Sequence, residues 1–288
     1  MERELWRILS REVTAVDRTW PTGRYEHSVG RVVRVYLWAQ LHDRPVCWAC
    51  RRENWAGVRP PNRLPSQSRM SRRLRRQDTQ DFLDALSQRL RVSREPGLLK
   101  LLDGKPLPVS HHSQDPDANF GYGAGSKKKG YKLHAIYSQA GDILSWRVRP
   151  MKSHEAKVAQ EMVEELRGEG YLLADANYDC NQLYDAAHAH GHQLVAPRRK
   201  PYTGLGHRRH SPQRLRSVEL LEGPGTFGRK LIARRREVET RFGNLCSFGG
   251  GLIALPPWVR TLTRVRLYVH AKLLIRAARN LMLQNGAA

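Results

Sequence analysis

Two short apolar runs that each close on an aspartate constrain this chain more than any other feature. In Tyr171-Leu-Leu-Ala-Asp-Ala-Asn-Tyr-Asp179 the run ends at Asp175, and a turn and a helix start follow at once. A run too short for a helix and bounded by turn residues reads as a buried strand, whose last residue is delivered to the edge of a sheet. Asp179 and Gln182 have the spacing of an N-cap and its capping partner, so a helix is predicted to open there. Gly97-Leu-Leu-Lys-Leu-Leu-Asp-Gly-Lys105 has the same form and closes on Asp103.

Strand texture continues beyond the first of these runs. A polar segment rich in His, Asp, Gly and Lys leads to Ser126-Lys-Lys-Lys-Gly130, and Tyr131–Tyr137 alternates as a strand. Gly141-Asp142 turns it into Ile143–Val148, a hairpin. Ser153 is placed to cap an amphipathic helix over Glu155–Leu166, with acids in its first turn. The strand to Asp175, a helix over Cys180–His190 and a strand over Gln193–Pro197 complete the set. Three strands in a meander, then helix, strand, helix, strand, describe an α/β fold of the ribonuclease-H-like type, a mixed sheet flanked by helices. Its first and fourth strands are neighbours, which would set Asp103 beside Asp175.

The first 97 residues have a different texture, with twenty Arg and no Lys. Glu2–Asp17 puts Leu5, Ile8, Leu9, Val13 and Val16 on one helical face, and Val29–Leu41 is a second candidate helix. Prolines and Trp55 mark an irregular connector from Arg51 to Pro65. Ser66 or Ser68 then caps a short helix offering Gln67, Arg69, Arg72, Arg73 and Arg76. That face suits a major-groove reader, the second helix of a helix-turn-helix, and equally suits a solvated basic surface. Gln80–Leu90 is a further helix, broken by Arg94-Glu-Pro-Gly97. The expected organisation is therefore a smaller all-α domain over 1–97 and an α/β domain over 98–288.

A net charge of +23 makes an anionic polymer the first partner to consider. No apolar run approaches transmembrane length, and Met1–Arg11 lacks the apolar core of a signal peptide, so a cytoplasmic location and no membrane partner are expected. Four cysteines in such a chain do not read as a disulfide framework. Cys47-Trp-Ala-Cys50 has the spacing of half a zinc knuckle, with His42 alone nearby, and also reads as two half-buried small residues.

Arg198–Arg216, the start of a basic loop over 198–228, holds seven Lys and Arg and no acid. It reads either as a clamp on a phosphate backbone, through Arg198, Arg199, Lys200, Arg208 and Arg209, or as a solvated loop. Lys127, Lys128, Lys129 and Lys132 are further candidates for phosphate contact. Arg229–Leu245 is predicted as one helix with Leu231, Val238, Phe242 and Leu245 on a stripe and Glu239 at its edge, one turn after Arg235. Glu237 points away. Trp258–Leu283 is a long closing helix.

With Asp103, Asp175 and Glu239 in order, the chain resembles the DDE transposases of bacterial insertion sequences. The resemblance lies in Asp103–Val109, Lys129–His134, Leu173–Asp179, Arg235–Gly243 and the Arg-rich final helix. It implies that Asp103, Asp175 and Glu239 are the catalytic carboxylates and that Arg235 is the arginine preceding the glutamate. The family's tyrosine before that arginine is Ile232 here, and its downstream lysine is Cys246, with Arg241 as the substitute cation. Three carboxylates imply two Mg²⁺ or Mn²⁺ ions, Asp103 bridging both and Asp175 and Glu239 each completing one. The resemblance further implies double-stranded DNA as partner, at element ends and target, and a homodimer bridging two ends. A ribonuclease-H-like nuclease that cuts without joining, and a non-catalytic DNA-binding repressor, are the alternatives.

Overall fold

The computed structural model describes residues 2–21, 23, 25–91, 97–123, 125–207 and 209–285. It divides into two compact units, residues 1–92 with 245–288, and residues 93–244. The predicted break at Arg94-Glu-Pro lies outside the described residues.

The first unit is helical. α1 (Glu2–Thr19) buries Leu5, Ile8, Leu9, Val13 and Val16, the face its periodicity predicts, together with Trp6 and Glu12. α2 (Val29–Leu41) is buried on every side except at Arg31 and Arg34, as a helix apolar nearly all round must be. Ser28 caps it, its hydroxyl accepting from the Arg31 N–H at 3.1 Å. The stretch read as irregular holds a single-turn α3 (Val46–Ala49) and a 3₁₀ turn at Arg52–Asn54. There Trp38 stacks on Trp55 with centroids 5.1 Å apart and meets Trp6 edge-on at 4.8 Å. α4 (Gln67–Arg73) opens on Ser66, and α5 (Gln77–Arg89) follows.

The second unit is built on a six-stranded sheet. Its elements in order are β1 (Leu99–Pro108), β2 (Asn119–Gly123), β3 (Ser126–Ser138), β4 (Ile143–Pro150), α6 (Glu155–Val163), β5 (Gly170–Leu173), α7 (Asn181–Ala189), β6 (His192–Val195), α8 (Pro212–Glu222), α9 (Phe227–Ala233) and α10 (Glu237–Cys246). β4 pairs with β3, β3 with β1, β1 with β5 and β5 with β6, the ribonuclease-H-like order; β2 is added along the start of β3. β1 is parallel to β5 and β5 to β6, whereas β3 runs antiparallel to β1 and β4. One face of the sheet, with Leu102, Ile136, Leu172 and Leu194, is sealed by Ala159, Met162 and Val163 of α6 and Leu183, Tyr184 and Ala187 of α7. On the opposite face Tyr137 meets Phe242 of α10 edge-on, at 5.3 Å.

Several local expectations are corrected. β1 does not stop at Asp103: its parallel pairing with β5 ends at Leu101, two residues earlier, while the antiparallel ladder with β3 runs on to Pro108 and Gly130. Ser153 does not cap α6; His154 holds the N-cap position and makes no side-chain cap bond. Asp179 does not cap α7 either, because its carboxylate is taken by Arg214, at 2.6 and 2.8 Å. Within the segment read as a basic loop, Pro212–Glu222 is α8, opened by Ser211 as cap with Pro212 in its first turn. The single helix predicted over Arg229–Leu245 is two, α9 and α10, joined by a 3₁₀ turn at Arg234–Arg236.

The closing helix α11 (Leu262–Asn285) belongs to the first unit, which the sequence boundary at residue 97 did not anticipate. Leu267, Ala271, Leu274, Ile275 and Ala278 join the core of α1, α2 and α5. Buried Lys272 locks the fit, donating to the Gln40 carbonyl at 2.6 Å and to Asp43 at 2.5 Å. An amphipathic pattern shows that a helix needs a partner, not which one it takes.

Candidate active site

Asp103 and Asp175 each lie two residues beyond Leu101 and Leu173, the last parallel pair of β1 and β5. Side chains alternate along a strand, so equal offsets from a matched pair send both carboxylates to the same face. There they meet one cation. The Arg235 guanidinium is 3.5 Å from Asp103 and 3.8 Å from Asp175, and its Nε is buried without a hydrogen-bond partner. The 3₁₀ turn between α9 and α10 is what delivers it.

Each acid is also held by its own backbone. Asp103 accepts from the Gly104 N–H at 2.7 Å, and Asp175 from the Asn177 N–H at 2.8 Å, capping the 3₁₀ turn Ala176–Tyr178. Burial pushes the Asp103 carboxyl up to about 6; Gly104 and Arg235 pull it down, and Asp175 and Glu155 push it further up. Tyr178 is fully buried beneath, its hydroxyl unpartnered, and burial with Glu155, Asp103 and Asp175 raises it well above the ordinary tyrosine value.

Glu155 and Tyr178 are the neighbours that sequence reasoning missed. Glu155 opens α6 and pairs with Lys132, whose chain crosses the sheet so closely that a Cβ on Gly104 would sit 3.0 Å from it. The signal for Glu155 was present, an acid in a helix's first turn, but it read as dipole compensation. Lys132, expected to contact DNA, is instead buried, donating to Glu155 and to the Tyr122 carbonyl.

Glu239 is not brought to this pair. It is exposed on α10, and among the described residues no three His, Cys, Asp or Glu side chains stand close enough to share a metal ion. Val238, Phe242 and Leu245 keep α10 facing inward, which turns Glu239 outward. Arg241 donates to the Gln139 carbonyl at 2.6 Å, at the turn between β3 and β4.

The other basic candidates divide by exposure. Arg199 is exposed and fastened beside the Asp175 turn, its guanidinium on the Asn177 carbonyl at 2.8 Å and its N–H on Asp179. Arg198 pairs with Glu222, while Lys200 and Arg209 are exposed and Arg208 lies outside the described residues. Lys127 is exposed, Lys128 and Lys129 half so. On α4, Gln67 and Arg72 are exposed and Arg69 pairs with Glu26. Arg73 is turned inward, donating to the His27 carbonyl at 3.0 Å beneath the Tyr25 ring.

Compared with known proteins, residues 95–273 match the family described as Transposase DDE domain. No curated protein matches. Among solved structures, the chain is similar to one described as a cryo-EM structure of a piggyBac transposase synaptic complex with hairpin DNA. That similarity has 10% identity and a TM-score of 0.48 over 99% of this chain and 73% of the other.

Proposed function

The chain belongs to the transposase DDE domain family and is a DNA transposase, and from that premise we propose that it serves an insertion sequence, cutting the element's ends and joining them to target DNA. The observation that supports this most is the convergence of Asp103 and Asp175 on one guanidinium. Two carboxylates on neighbouring strands, half withdrawn from water, require positive charge between them, and their hard oxygen donors suit Mg²⁺ or Mn²⁺ over zinc. The donor set fits the divalent cations that the family generally uses.

In this reading Asp103 and Asp175 would hold a divalent cation, with Glu239 as the third carboxylate. Bound divalent cations supply acidification of the attacking water or hydroxyl and stabilisation of the leaving oxygen. Arg199, fixed next to the Asp175 turn, binds the phosphate flanking the scissile bond. Arg235 neutralises the two acids and is the guanidinium placed to meet a phosphate oxygen beside them. Exposed Lys200, Arg209, Gln67 and Arg72 hold duplex DNA away from the cut, as a dimer bringing two ends together requires.

The test is strand transfer. Wild-type protein, a pre-nicked duplex carrying the element's terminus, a plasmid and Mg²⁺ should yield joined product; Asp175→Asn should abolish cleavage and joining while keeping DNA affinity. Cleavage without joining would replace the reading by a nuclease. The exposed position of Glu239 favours one rival, a non-catalytic DNA binder, for which neither form would show metal-dependent activity.

A further inference from the structure

Asn119-Phe-Gly-Tyr-Gly123, the whole of β2, alternates aromatic residues with glycine. Alternation along a strand puts both rings on one face and both glycines on the other. The ladder with β3 then sets Lys129 opposite Phe120 and Lys127 opposite Tyr122, so two rings and two cations share a face. On the other face there is no room for side chains at the glycines: a Cβ on Gly121 would lie 2.5 Å from the Met151 carbonyl oxygen, and one on Gly123 2.9 Å from Pro106. The ribbon is pressed flat on its back and displays its front.

That front is unusual for a chain with ample core. Phe120 is 45% exposed and Tyr122 78%. The Lys127 and Lys129 ammonium groups each stand 5.8 Å from the Phe120 ring centre, and the His111 ring lies at 5.6 Å. Resting on the transposase reading, we infer that this ribbon is a stacking platform for unpaired nucleotides at a DNA end, Phe120 and Tyr122 taking base faces and Lys127 and Lys129 the phosphates between them. Within a duplex each base is covered by its stacked neighbours, whereas an unpaired strand offers a face at each nucleotide, and rings with interleaved cations are what grip it. Ring positions two residues apart on a strand are about 7 Å apart, close to two base-stacking steps of about 3.4 Å.

The platform is coupled to the acids. The Tyr122 carbonyl accepts from the Lys132 ammonium at 3.2 Å, and Lys132 runs alongside Gly104, the residue after Asp103. An end opened at Asp103 and Asp175 therefore has a receiving surface one side chain away.

The experiment uses the full chain carrying Asp175→Asn, so that DNA is bound but not cut. Its probes are a blunt duplex and the same duplex with a short single-stranded tail containing 2-aminopurine. The tailed duplex should bind more tightly, with quenching of the 2-aminopurine. Adding Phe120→Ala and Tyr122→Ala should lower affinity for the tailed probe roughly tenfold or more per ring, abolish quenching and leave blunt binding unchanged. Phe120→Leu with Tyr122→Leu, which keeps apolar bulk, should behave as the alanine pair does. Unchanged tailed binding in the leucine pair, or equal losses on both probes, overturns the platform. Wild-type cleavage of an element end, assayed in parallel, separates the two readings: cleavage without stacking sinks the platform alone, and stacking without cleavage sinks the transposase reading alone.

Discussion

At the scale of single residues, the account turns on charge confined at Asp103. Its folded value of about 6 lies above the ordinary 3.8, so between those values the folded state holds a proton that the unfolded state has released. Stability therefore falls as pH rises from about 4 to about 6, the reverse of the usual behaviour of a paired carboxylate. Without divalent metal, Asp103→Asn should remove this dependence and gain on the order of 2 kcal/mol over wild type at pH 7. Chemical unfolding of both forms at several pH values checks it, and parallel curves would contradict it. Asp179 shows the opposite sign. Burial would raise its carboxyl, but Arg214 and the Arg199 N–H hold it below the ordinary value, so its stabilisation is present at neutral pH and lost on acidification. Asp179→Ala should cost about 3 kcal/mol by leaving Arg214 unpaired. A change in denaturation midpoint at pH 7 that shrinks towards pH 3 is the expected result.

At the scale of elements, close approach replaces charge as the deciding effect. Gly228 lies where α9 meets α8, and a Cβ there would fall 1.8 Å from the Leu220 carbonyl oxygen. Gly228→Ala should destabilise the protein by about 1–3 kcal/mol, read by thermal unfolding, because backbone must move to admit one methyl group. Most elements were legible before any coordinates. Val29–Leu41 is a helix to the residue, and the paired aspartates follow from reading the two apolar runs as the first and fourth strands of a ribonuclease-H-like order, which are neighbours. Three features were not. α8 was hidden by its own charge, although Ser211-Pro212 signalled a helix start. β2 was hidden by its glycines, which weaken a strand pattern but are required by Met151 and Pro106 behind it. The bridging of the acids by Arg235 depends on a 3₁₀ turn that periodicity reads as continuous helix. Glu239 was singled out by its place at the edge of a helical stripe and then by the family pattern; it is exposed on α10, and its third-carboxylate role is a proposal about the metal-loaded state.

At the scale of the molecule, charge sets how DNA is met. With a net charge of +23, duplex affinity should depend steeply on salt. For about six phosphate contacts it should fall about a thousandfold between about 50 and about 200 mM. A nearly flat dependence would remove the basic surface from the account. No helix among the described residues is long and apolar enough to cross a membrane. The return of α11 to the N-terminal helices makes the first unit discontinuous, with the second inserted between residues 92 and 245. Truncation before α11 should therefore unfold the N-terminal helices, whose core it completes. Loss of their cooperative unfolding transition in a chain ending near residue 260 checks this.

The most direct measurement is a crystal structure in Mn²⁺ with anomalous scattering. The account predicts manganese held by the Asp103 and Asp175 carboxylates, Glu239 drawn in as a further ligand, and the Arg235 guanidinium no longer between them. Manganese absent from both aspartates, with Arg235 still bridging them, would contradict it.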